Sequence, residues 1–168
     1  MGIAEVFERL GVTGAAYAAP VAGDLGAGVR ADELVTPASV TKIQVALAAE
    51  SLIAGGFIPG SSRRLLRSRG PTPGPVGISL MRDEVSVSVR DLVVAMLTLS
   101  DNPATDELIT AIGLEEVNRA TSRLGLTQTA VQSDLRTMFG RNGRRGRLRR
   151  LRRPGGARSG GGWAAVGR

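Results

Sequence analysis

Apolar positions cluster in four helix-like stretches punctuated by glycine and proline. The most apolar covers residues 39–54, where Val40, Ile43, Val45, Leu47, Leu52 and Ile53 leave almost no polar side. A helix without a broad polar face belongs inside a larger core, and Gly55-Gly56 supplies its stop. Ser88 and Asp91 stand at capping-box spacing and open a second apolar helix through Leu92, Met96 and Leu99. That helix is predicted to stop at Ser-Asp-Asn-Pro, because Pro103 disfavours helical geometry at Asn102. Two more helices follow over residues 104–112 and 115–124, ended by Gly113 and Gly125. Strand signals are weaker. "AAYAAPVAG" and "VRADELVTP" flank the turn-like "DLGAG" and predict a hairpin, preceded by a short helix over residues 4–10. "RGPTPGPVG", with three prolines, reads as a loop.

Composition narrows the chemistry. The 168 residues suffice for one ordinary core. Cysteine and histidine are both absent, which excludes disulfides, Cys/His zinc sites, cysteine nucleophiles and every Ser-His-Asp arrangement. No metal or other cofactor is expected. A nucleophilic serine here would need lysine or a carboxylate as its base. No apolar run approaches the ~18 residues of a membrane span. The first residues, with Glu5 and Glu8, lack the basic start and apolar stretch of a secretory signal, so a cytoplasmic location is expected.

Charge divides the chain at Gly140. Residues 1–140 hold 12 basic and all 15 acidic residues, whereas residues 141–168 hold ten arginines and no acid. Of those last 28 residues, 22 are Arg, Gly, Ala or Pro, whose codons can be written wholly in G and C. A GC-rich gene read out of frame gives such a composition, so residues 1–140 are taken as an incomplete folded domain and 141–168 as a frameshifted or truncated end. The same residues also fit a solvated basic tail, or an Arg/Gly segment binding polyanions with Trp163 stacking on a base. Nucleic-acid binding through this tail is the rival function.

Lys42 is the only lysine among 22 basic residues. Arginine stays protonated at ordinary pH, whereas a buried lysine can give up its proton. Ser39 lies three residues earlier, on the same helical face. Acting as a base near neutrality requires a drop of about three pKa units, roughly 4 kcal/mol. Burial and the positive end of a helix both act in that direction, and a backbone N–H at Ser39 would face a developing oxyanion. A capping serine and a surface lysine give the same spacing. Ser100-Asp101-Asn102 falls in the break between two helices, where side chains reach a cleft. Asn102 would equally serve as an N-cap, with Pro103 in the first turn.

Ser-x-x-Lys followed by Ser-Asp-Asn resembles the class A β-lactamases and penicillin-binding proteins. The resemblance covers about residues 12–134, including "RGPTPGPVG", "MRDE" and "GLEEVNRATSRLGLTQT", and is strongest to β-lactamase-like serine hydrolases of high-GC bacteria. It implies an α/β fold, the three-layer α+β arrangement of β-lactamases and transpeptidases, with N-terminal strands and the helical part present and C-terminal strands missing. It implies Ser39 as the acylated nucleophile, Lys42 as its proton acceptor, and Ser100 as the donor to the leaving nitrogen. Asn102 would hold the substrate's amide side chain and Asp101 would brace the loop. The implied substrate is a small-molecule β-lactam; a D-Ala-D-Ala peptide or a small ester are alternatives. Two departures stand out. With one lysine the chain has no Lys-Thr-Gly motif, and from Leu126 onward there is no glutamate to activate a deacylating water. Little turnover is therefore expected.

Overall fold

Helices with glycine stops dominate the computed structural model, which describes residues 2–22, 26–67, 70 and 72–140. The arginine-rich segment 141–168, with its expected polyanion binding, lies outside the described residues.

The chain opens with α1 (Ile3–Arg9) and an antiparallel pair, β1 (Ala16–Ala18) and β2 (Ala27–Val29), in which Tyr17 stands opposite Gly28. The predicted hairpin is thus present, but its second strand starts within the "DLGAG" stretch rather than after it. Glycine explains the shift: Tyr17 packs so closely that a Cβ at Gly26 would lie 2.2 Å from its hydroxyl oxygen. Arg30, at φ 51°, then turns the chain away and pairs with Glu33. No described residue before Pro37 is buried.

The stretch predicted as one helix starts as a 3-10 turn, Ala38–Thr41, and becomes α2 (Lys42–Ala54). Its burial is one-sided. Val45, Ala48 and Ala49 pack into the core, whereas Val40, Ile43 and Leu47 are 60, 52 and 45 % exposed. All-round burial is not reached, because the three later helices pack on one side of α2 only.

Sequence patterning missed a second antiparallel pair, β3 (Arg63–Leu66) with β4 (Val85–Ser88). Four residues per strand are too few for alternation to stand out. β4 runs straight into α3 (Val89–Leu99), so Ser88 is both the last strand residue and the N-cap, accepting from the Asp91 amide at 3.1 Å. α4 (Asn102–Ile112) and α5 (Leu114–Arg123) follow, separated by Gly113 at φ 88°. The N-cap of α4 is Asp101, not Asn102: Pro103 has no N–H, and the Asp101 carboxylate reaches the Ala104 amide at 2.8 Å.

Val45, Leu92, Met96, Leu108 and Val117 join α2–α5 in one core. Each such side chain contributes about 1.5–3 kcal/mol on burial. Among the described residues, no helix is long and apolar enough to cross a membrane.

Candidate active site

Two breaks in helical structure bring the singled-out residues together. The first is the 3-10 turn carrying Ser39, the second the α3–α4 junction carrying Ser100, Asp101 and Asn102. Three described non-glycine residues have positive φ, and two of them sit here: Ala38 at 47° and Ser100 at 55°. Such conformations cost about 1–3 kcal/mol each and persist where surrounding structure enforces them.

Lys42, only 5 % exposed, reaches across to the second break. Its Nζ lies 2.7 Å from the Ser100 carbonyl oxygen, 2.8 Å from Ser100 Oγ and 2.9 Å from Asn102 Oδ1. Ser39 Oγ is farther, at 3.5 Å, and accepts from Ser100 Oγ at 3.1 Å. An ammonium would spend its three protons on the three nearer oxygens. A neutral amine would keep the two carbonyl-type acceptors and turn its lone pair to a hydroxyl. Ser100 Oγ, between Lys42 and Ser39, is the short bridge for a proton. Burial lowers the Lys42 pKa from its ordinary value, against the opposing charges of Asp101 and Asp106.

Asp101 is wholly buried and fastens this junction to the preceding loop. One oxygen accepts from Ala104 N; the other accepts from Ile78 N at 2.6 Å. Gly77, at φ 62°, makes the approach possible, since a Cβ there would lie 2.0 Å from Asp101 Oδ2. Asn102 ties the same loop through Nδ2, which donates to the Pro73 carbonyl at 3.0 Å. One Nδ2 proton is left over.

Behind Ser39 lies a cavity of about 240 Å³, bordered by Lys42, Val45, Asn102, Ile109, Val131, Leu135, Met138 and Phe139 among others. None of its lining residues is acidic. Its outer wall, residues 131–139, is held by side chains of other helices. Asn118 of α5 accepts from Val131 N at 2.7 Å. Asp106 of α4, itself buried, accepts from Leu135 N at 2.7 Å, Arg136 N at 2.9 Å and Thr72 Oγ1 at 2.6 Å. Burial pushes the Asp106 carboxyl up, opposed by those three donors. Sequence reading missed Asp106; its one signal was a carboxylate set among the apolar positions of a helix. Asp134 does not border the cavity. Among the described residues, no cluster of three or more acidic side chains could hold a metal ion.

Comparison with known proteins places the fold. The family model described as "Beta-lactamase enzyme family" matches residues 2–153. A curated relative, the beta-lactamase regulatory protein BlaB of Streptomyces cacaoi, is 29 % identical over 112 residues, covering 66 % of this chain and 36 % of BlaB. Among solved structures, a beta-lactamase from Sphaerobacter thermophilus aligns with a TM-score of 0.69 at 27 % identity, over 77 % of this chain and 49 % of that one. A class A beta-lactamase representative from Bacteroides cellulosilyticus shares the fold, with a TM-score of 0.66 at 22 % identity over 83 % and 52 %. The chain spans about half the length of these solved structures, consistent with the absence of C-terminal strands from the described fold. With a family model matching most of its length and this fold, the chain belongs to the beta-lactamase enzyme family.

Proposed function

We propose that Ser39 is the nucleophile of a serine acyl-transfer centre that opens β-lactam amides through a Ser39 ester. Ser39 Oγ attacks the carbonyl carbon, and its proton passes to neutral Lys42, through Ser100 or directly. Ser100 then delivers a proton to the leaving nitrogen, and the free Nδ2 proton of Asn102 holds the substrate's amide side chain. Asp101 keeps the junction in register. The observation that carries this reading is the convergence of Lys42 Nζ on Ser100 Oγ and Asn102 Oδ1 within 2.9 Å, beside Ser39. Arginine in place of lysine would offer no lone pair. The test is intact-mass spectrometry after exposure to a reactive β-lactam or a fluorophosphonate. One adduct at Ser39, absent in Ser39→Ala, is expected; labelling unchanged in that variant sinks the assignment.

A second reading is favoured by the cavity's lining, in which no carboxylate stands ready to activate water. Acylation would then outpace hydrolysis, and the centre would register β-lactam covalently rather than destroy it. The similarity to a protein named for beta-lactamase regulation supports this version. A stoichiometric burst without steady turnover of a chromogenic β-lactam is its signature. Sustained Ser39-dependent turnover would favour hydrolysis.

A further inference from the structure

The cavity behind Ser39 has a property that proton transfer does not use. Its polar end is Ser39, Lys42 and Asn102, with Ser39 exposed at the mouth, and Thr36, Thr41 and Thr105 add hydroxyl-bearing side chains to the lining. Beyond Lys42, Val45, Ile109, Val131 and Leu135 are buried, and Met138 and Phe139 are half-buried. At about 30 Å³ per water-sized group, 240 Å³ accommodates roughly eight heavy atoms. Sites that enclose a whole ligand run about 300–1,000 Å³, so this one suits a single apolar group of a substrate.

Its position beside the nucleophile selects which group. We infer that this cavity is an acyl pocket, and that, beyond β-lactams, Ser39 takes open-chain esters or amides whose acyl part is an uncharged apolar chain or ring of about four to eight heavy atoms. The inference rests on Ser39 being the nucleophile. In the reaction, Ser39 Oγ bonds to the carbonyl carbon and the bond to the leaving alkoxide or amine breaks. The Ser39 proton ends on that leaving group, which departs as alcohol or amine. Turnover afterwards takes one water, whose hydroxyl goes to the acyl carbon and whose proton returns to Ser39.

Selectivity follows from the lining. Each methylene moved from water into such surroundings contributes a factor of about four, until the space is full. A terminal ammonium is rejected, since the lining offers no carboxylate to pair it and an unpaired buried charge is costly.

The experiment uses the full chain with p-nitrophenyl esters from acetate to decanoate, with nitrophenolate release followed before steady state and Ser39→Ala as background. The second-order acylation constant should climb about fourfold per methylene, then break between the six- and eight-carbon acyl groups. Leu135→Phe, which narrows the pocket, should move the break to shorter chains. A small alkyl fluorophosphonate measures Ser39 reactivity independently. If it labels Ser39 while all esters react alike, the acyl pocket is overturned and the nucleophile stands. If neither probe reacts at Ser39, both fall. The wild-type series decides the matter even if Leu135→Phe does not fold.

Discussion

In the N-terminal layer, residues 2–36, no described side chain is buried, whereas Leu92, Met96 and Leu108 of the helical body are wholly withdrawn from solvent. The layer consists of a seven-residue helix and two three-residue strands; the body packs α2 against α3, α4 and α5. An isolated two-stranded hairpin is marginal in water, while successive helices that share one core stabilise each other. The difference teaches where the chemistry resides. Ser39, Lys42, Ser100 and Asn102 all stand in the body, on backbone that the core holds in place. The hairpin contributes no residue to the cavity beside them.

The sharpest cut at the body is Lys42→Arg. It preserves charge and removes the proton acceptor, so Ser39 labelling should fall about 10²–10⁴-fold, the range of a lost general base. In the wild type, labelling should rise with pH as Lys42 loses its proton, with a midpoint below the ordinary lysine value. The same shift links to stability. Between the lowered folded value and the ordinary one, the fold binds fewer protons than the unfolded chain, so stability rises with pH across that window. A labelling rate indifferent to both substitution and pH would make Lys42 a structural cation.

Leu92→Ala should destabilise the body by about 2–5 kcal/mol in denaturant titration, through lost burial and a residual cavity. Asp106→Ala should cost about 2–3 kcal/mol, because the Leu135 and Arg136 amides and the Thr72 hydroxyl lose their acceptor. Gly77→Ala should cost about 1–3 kcal/mol by thermal melting, through strained backbone and the conflict with Asp101. It should also slow Ser39 labelling, since Asp101 anchors the junction of Ser100 and Asn102. Smallest of all, Leu10→Ala in the N-terminal layer should change stability by no more than about 0.5 kcal/mol. A Leu10→Ala effect matching that of Leu92→Ala would erase the distinction between the two regions.

The sequence made the body legible and left the layer vague for the same physical reason. α3, α4 and α5 are long enough for periodicity, caps and glycine stops to agree. Ser-x-x-Lys and Ser-Asp-Asn could be read because each is a local signature. The strands are three or four residues long, and the place of β2 depends on Tyr17 lying over glycine, which no alternation reveals. The bare stripe of Val40, Ile43 and Leu47 was equally hidden, since apolar residues declare what a helix would bury and not what is present to cover it. Asp101 as cap, Asp106 as anchor and residues 131–139 as cavity wall all depend on bonds between distant positions. Asp106 meets Leu135 across 29 residues, beyond the reach of any local motif.

The fastening of that wall also sets a timescale. The Val131, Leu135 and Arg136 amides donate to Asn118 and Asp106 side chains rather than to carbonyls of a regular helix. Hydrogen exchange at these amides therefore requires the segment to part from α4 and α5, without melting either helix. Local openings of this kind lie below the free energy of global unfolding. If the segment parts as one unit, the three protons should exchange together and sooner than those of buried α4. Their common exchange rate then reports how often the cavity loses its outer side while the rest of the body stays folded.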